Sequence, residues 1–130
     1  MKVVDASVLV AALAEESAAG SRARGAMRGE ALAAPHLVDL EVVAALRRRH
    51  QRGLMSEPAA QRALSHLRRT SITRHHHAVL VTRCWQLRDN LKTYDAVYVA
   101  LAEALGVPLL TADARLADAT GIRCQVELLT

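Results

Sequence analysis

The chain of 130 residues contains no phenylalanine, and Trp85, Tyr94 and Tyr98 are its only aromatic residues. Extended stacking of single-stranded bases on aromatic side chains is therefore a poor explanation for any nucleic-acid binding. Hydrophobic residues still make up 52% of the chain, so the core must be built from Ala, Val and Leu. Cysteine is nearly absent too. Cys84 and Cys124 form no CxxC and could close at most one bridge, which excludes a disulfide scaffold and a zinc knuckle. No uncharged run reaches the roughly 18 residues of a membrane span. The opening Met-Lys-Val-Val-Asp turns acidic at once and offers no apolar signal segment. A cytoplasmic protein with no membrane partner is expected. Lysine occurs only at Lys2 and Lys92, so arginine supplies 15 of the 17 basic residues, and the formal net charge is +4. Arginine binds phosphate and carboxylate through two parallel donors, which suits a polyanionic partner.

The length fits one domain, residues 1–130, large enough for a real core without staples. Lys2 to Val4 is a short β-branched run that predicts a buried first strand. Helices are predicted from Ala6 to Glu16 and, after a turn at Gly20-Ser21, from Ser21 to Arg28. Leu32 to Ala34 reads as a strand ended by Pro35. A long helix follows from His36 to Gln51, then one capped by Ser56 and running to Arg69. Ser71 to Thr73 reads as a minimal strand and Ala78 to Arg88 as a helix. Thr93 is the expected cap of a helix from Tyr94 to Leu105, stopped by Gly106. Val107 to Thr111 and Ile122 to Leu128 complete the strands, with a short helix from Ala114 to Ala119 between them. Strands alternating with helices predict an α/β fold with a parallel sheet covered on both faces. Ligands of such sheets bind beyond the C-terminal ends of the strands.

Four acids stand out there. Asp5 ends the first strand and Asp113 lies just past the Thr111 strand. Glu41 falls among Leu37, Leu40 and Ala44 at about 100° per residue, on a face expected to be buried. Asp95 begins a helix whose next face is Val99 and Ala102. Neither Glu41 nor Asp95 has a cation three or four residues on. Each acid has an ordinary alternative: Asp5 and Asp113 could cap helices, and Asp95 could face a helix dipole. Glu41 has the least. Capping and catalysis are compatible, because a cap is held rigidly. Carboxylates on apolar faces need compensation, and a divalent cation with hard oxygen ligands supplies it.

These residues resemble the motifs of the PIN-domain nucleases. Asp5-Ala6-Ser7 resembles the opening motif, Pro35 to Glu41 the second block, Asp95-Ala96 with Ala100-Leu101-Ala102 the third, and Thr111-Ala112-Asp113 with Leu116 the fourth. The length resembles that of stand-alone VapC toxins. The resemblance implies a three-layer α/β/α sandwich with a short parallel sheet, and Mg²⁺- or Mn²⁺-dependent cleavage of RNA. It implies that Asp5, Glu41, Asp95 and Asp113 form the catalytic centre, with Asp5, Asp95 and Asp113 as metal ligands. Ser7 and Thr111 match supporting hydroxyl positions. A homodimer and a VapB-like antitoxin, whose C-terminal segment covers the site, are implied as partners.

Arg22, Arg24 and Arg28 are the candidates for holding the substrate. Arg47-Arg48-Arg49 and Arg68-Arg69 end helices, where cations suit the dipole. His75-His76-His77 cannot share one helical face and reads as a solvated loop. Trp85 and the tyrosines read as core or dimer interface. Three rivals remain. One is a metal-independent ribonuclease using the histidine run, or His36 with His66. Another is a catalytically inactive antitoxin-binding module. The third, a phospho-acceptor receiver domain, lacks the second acid after the first strand and a late lysine.

Overall fold

Five short runs form the sheet, and each after the first is reached by a helical crossover. The computed structural model describes residues 1–130. Its strands are β1 (Lys2–Val4), β2 (Leu32–Pro35), β3 (Ile72–His75), β4 (Leu109–Thr111) and β5 (Val126–Leu128). The helices are α1 (Ala6–Ala14), α2 (Ala18–Met27), α3 (Leu37–Gln51), α4 (Glu57–Arg69), α5 (Val81–Gln86), α6 (Thr93–Leu105) and α7 (Ala114–Asp118). All pairings are parallel, in the order β3-β2-β1-β4-β5. Helix α1 packs on α2, α3 and α4, while α6 lies against β1, β2, β4 and α5. The result is a three-layer α/β/α sandwich.

Val3 and Val4 of the central strand have no exposed surface, nor do Ala33, Ala34 and Leu109 beside them. The core is the aliphatic one that the composition demands. Apart from Tyr98, its 28 buried members are Ala, Val and Leu. Small side chains on both faces let α1 and α6 approach the sheet closely. Strand order therefore brings the ends of β1 and β4 side by side, at the point where the chain changes its direction of travel across the sheet.

Some boundaries differ from the sequence expectations. Gly20 and Ser21 are not a turn but lie inside α2. A β-carbon at Gly20 would stand 1.9 Å from the Glu15 carbonyl oxygen and 3.0 Å from that of Ala11. Glycine is there because α2 crosses the end of α1 at backbone contact. The third strand extends to His75, so the first histidine of the run belongs to the sheet. Helix α6 starts at Thr93 with Lys92 at the cap position, and no side chain caps it. Ala78–Leu80 is a 3₁₀ turn before α5, which ends at Gln86. Gly106 ends α6 as expected, at φ 66° in the left-handed region.

Gly20→Ala forces the α1–α2 crossing apart. The variant is expected to lose about 2 kcal/mol or more in urea unfolding. An unchanged midpoint would show that the crossing tolerates a methyl group.

Candidate active site

Asp5 leaves β1 and immediately caps α1. Its Oδ1 accepts from the amides of Ser7 at 2.8 Å and Val8 at 3.4 Å, and from the Ser7 hydroxyl. Its Oδ2 accepts from the Thr111 hydroxyl at 2.5 Å. Thr111 is fully buried at the end of β4, and Asp5 is only 6% exposed. The Thr111 hydroxyl accepts from the Asp113 amide, and the Ser7 hydroxyl from the Ala112 amide, both at 3.0 Å. Two hydroxyls thus tie the end of β1 to the turn after β4. Burial pushes the Asp5 carboxyl above its ordinary pKa, and the bonds from Ser7 and Thr111 act against that rise.

Glu41 reaches the same place from α3, although not on the face that its spacing suggested. Val38, Val42 and Leu46 are the buried stripe of α3. Leu40 is 70% exposed and Ala44 is also exposed. The helix is rolled so that Glu41 flanks the core at half burial instead of sitting in it. Its Oε1 accepts from the Tyr98 hydroxyl at 2.5 Å. Tyr98 comes from α6 and is 1% exposed. The sequence assigned this tyrosine to core or interface, and its hydroxyl bond is not visible from spacing. Burial raises the Glu41 pKa; the Tyr98 bond lowers it, while the charges of Asp95 and Asp5 raise it further. Tyr98 itself is pushed far upward by burial and by Glu41, so it remains a donor.

Asp95 lies in the first turn of α6 and Asp113 caps α7. Asp5, Ser7, Glu41, Asp95, Tyr98 and Asp113 line one cleft of about 370 Å³. Burial raises the Asp95 pKa, and the neighbouring Asp113 adds to it. Asp113 goes the other way. Partial burial alone would raise it, but bonds from the Arg115 side chain and amide hold it below its ordinary value.

The remaining acids provide the contrast. Glu15 pairs with Arg49, Glu30 and Glu127 with Lys2, Asp39 with Arg74 and Glu103 with Arg83. Glu16, Glu57, Asp89 and Asp118 are exposed to water. Only Asp5, Glu41 and Asp95 are withdrawn from water with no cation at salt-bridge distance. The donor set is all oxygen, the chemistry that Mg²⁺ and Mn²⁺ take. No three His, Cys, Asp or Glu side chains already form a closed metal cage. An ion held through one or two carboxylates and waters does not require one. On charge and donor chemistry the cleft fits such an ion.

The substrate-binding candidates are placed elsewhere. Arg24 donates to the carbonyl oxygens of Ala12 at 3.0 Å and Glu15 at 2.9 Å, closing the end of α1. Arg24 and Arg28 line a separate cleft with His66 and Arg69, and Arg22 is on the exposed surface of α2. The basic residues beside the acids are Arg48 and Arg49, which the sequence assigned to the helix dipole. Of the histidines, His75 ends β3 with its Nε2 buried and unpartnered. His76 stacks on His77 and meets His36 edge-on. None of them lines the acidic cleft.

Known proteins share this pattern. The family model of the PIN domain matches residues 2–122. Ribonuclease VapC1 of Mycobacterium tuberculosis is 46% identical over 128 residues, covering 98% of this chain and 96% of its own length. The VapC ribonuclease Mb0985 of Mycobacterium bovis is 43% identical over 129 residues, covering 99% and 98%. Among solved structures, PAE2754 of Pyrobaculum aerophilum superposes with a TM-score of 0.72 at 27% identity, over 96% of this chain and 81% of its own. A toxin–antitoxin complex from Klebsiella pneumoniae shares the fold at TM-score 0.67 and 19% identity, over 98% and 96%.

A carboxyl group whose native pKa is raised binds its proton more tightly folded than unfolded. Its ionisation therefore removes stability as pH rises through the native value. Glu41→Gln, which keeps an acceptor for Tyr98, is expected to raise the melting temperature of the metal-free protein at neutral pH by about 2 °C or more. The gain should shrink as pH falls below the raised native pKa of Glu41 and be gone below its unfolded value. A lower melting temperature at neutral pH would contradict the electrostatic reading of the cleft.

Proposed function

The chain belongs to the PIN domain family, and on that premise we propose that it is a Mg²⁺- or Mn²⁺-dependent endoribonuclease, the toxin of a type II toxin–antitoxin system. The observation that carries this reading is the trio of withdrawn carboxylates without a cation, beside a fourth, Asp113, in one cleft. The naming of its relatives as VapC ribonucleases supports RNA as the substrate.

Asp5, Asp95 and Asp113 are the residues that would hold the ion. A bound divalent ion supplies water of lowered pKa and offsets charge that builds on the phosphate oxygens. Asp5 is fixed in direction by Ser7 and Thr111, so the ends of β1 and β4 present it without rotamer freedom. Tyr98 occupies one oxygen of Glu41 and leaves the other to accept a hydrogen from water, which orients that water for in-line attack. Arg48 sits at the cleft with no ion-pair partner, positioned to meet phosphate. No ribose hydroxyl is needed as nucleophile, so products carry a 5′-phosphate and a 3′-hydroxyl.

The proposal extends to partners and place. A VapB-like antitoxin is supported by the toxin–antitoxin complex that shares the fold. A homodimer is supported by the apolar surface where Leu40, Val81 and Tyr94, each more than half exposed, meet around one groove. The cytoplasm is the proposed site of action, and no helix is long and apolar enough to cross a membrane.

Asp95→Asn is expected to lower RNA cleavage by about 10²-fold or more while the fold persists, because one ligand and one repulsive charge leave together. Chelation with EDTA should abolish wild-type cleavage and Mn²⁺ should restore it. Cleavage that survives EDTA would favour the histidine-based ribonuclease. If neither protein cleaves, with or without metal, the inactive antitoxin-binding module becomes the better reading. Leu40→Asp should convert a dimer to a monomer in light scattering; an unchanged mass would place the dimer contact elsewhere.

A further inference from the structure

The one cation that touches a cleft carboxylate is Arg115, on the first turn of α7. Its Nε donates to Asp113 Oδ1 at 3.3 Å and its Nη2 to Oδ2 at 3.2 Å, while its amide donates to Oδ1 at 2.9 Å. A single guanidinium therefore spans both oxygens of an acid that the proposed metal centre would use. Its charge also reaches Asp95.

The pair differs from the other ion pairs of the molecule. Arg74 meets Asp39 at 2.6 and 2.7 Å, and Arg83 meets Glu103 at 2.8 Å, with side chains at most 38% exposed. Those contacts join separate parts of the chain: Arg74 ties β3 to α3, and Arg83 ties α5 to α6. Arg115 joins only residues two apart, at long distances, and its side chain is 81% exposed. It holds nothing together that the backbone does not already hold. An exposed pair of this kind is weak and easily exchanged.

Resting on the metal-dependent reading above, we propose that Arg115 is a displaceable resident counter-ion. It neutralises Asp113 while no divalent ion is bound, and it must leave that carboxylate when one binds. It thereby sets the metal concentration at which the centre fills. Two cations cannot share Asp113 at contact distance without repulsion, and the arginine is the one free to move into water. Exchange of the guanidinium for the ion leaves Asp113 paired in both states, so that this carboxylate is never without a cation.

Mn²⁺ binding to the isolated protein tests this directly, by calorimetric titration at low ionic strength without RNA. Arg115→Ala should tighten Mn²⁺ binding by about two- to five-fold, the range of an exposed ion pair. Arg115→Lys, which cannot span two oxygens, should fall between the two. Arg68→Ala removes an equal charge from the exposed surface of α4 and should leave the affinity unchanged. The difference between Arg115→Ala and wild type should shrink near 1 M salt, where the screening length is about 3 Å. Equal or weaker binding by Arg115→Ala overturns the inference, as does equal tightening by Arg68→Ala. Absence of Mn²⁺ binding by wild type and Arg115→Ala alike overturns the metal reading itself, and is thereby told apart from a failed counter-ion.

Discussion

Burial of carboxylates in one cleft, with like charge adding to the cost at Glu41 and Asp95, is the constraint on which the rest of this molecule depends. Asp5 and Thr111 are locked together at the ends of adjacent strands. Glu41 and Asp95 arrive from helices whose inner faces are packed on the same sheet. Each of the three acids sits next in sequence to a residue with no exposed surface, Val4, Val42 or Ala96, so the core fixes the backbone that carries it. The aliphatic interior is in this sense the source of the site's electrostatics. Small residues let the helices approach, and close helices bring the acids together.

Neutral donors manage part of that strain and organise what remains. Ser7, Thr111 and Tyr98 each place a hydroxyl hydrogen on a carboxylate oxygen. Such bonds favour ionisation without adding positive charge, so they orient the acids while leaving net negative charge for a cation to meet. The opposite signs of the shifts at Asp95 and Asp113 follow the same logic. At Asp95 burial and like charge outweigh the cations that act from farther off, whereas Asp113 has a guanidinium on it.

Much of this was legible before the structure. Asp5 and Asp113 were readable because a strand end in a parallel sheet points to a crevice, and Asp95 because no cation follows it three or four residues on. The aliphatic core followed from composition alone. What escaped was everything set by the roll and crossing of helices. Val38, Val42 and Leu46 compete with Leu37, Leu40 and Ala44 for the role of the buried face of α3, and only packing decides between them. Tyr98 sits in a run of apolar residues, and nothing local announces that its hydroxyl meets a residue 57 positions away. Gly20 looked like a turn because its function is to lack a side chain at a helix crossing. Arg24 looked like a phosphate ligand, yet its donors close the end of α1. Arginine chemistry is the same in both roles, and only position separates them.

Thermal unfolding of the purified wild-type protein with increasing Mn²⁺, at neutral pH, tests the central claim most directly. If the acids of the cleft are held in opposition and relieved by a divalent ion, the melting temperature climbs with metal by mass action, by the equivalent of about 2.7 kcal/mol at a hundred times the dissociation constant. Asp95→Asn should climb far less. A wild-type melting temperature indifferent to millimolar Mn²⁺, or an equal climb in Asp95→Asn, would contradict the account.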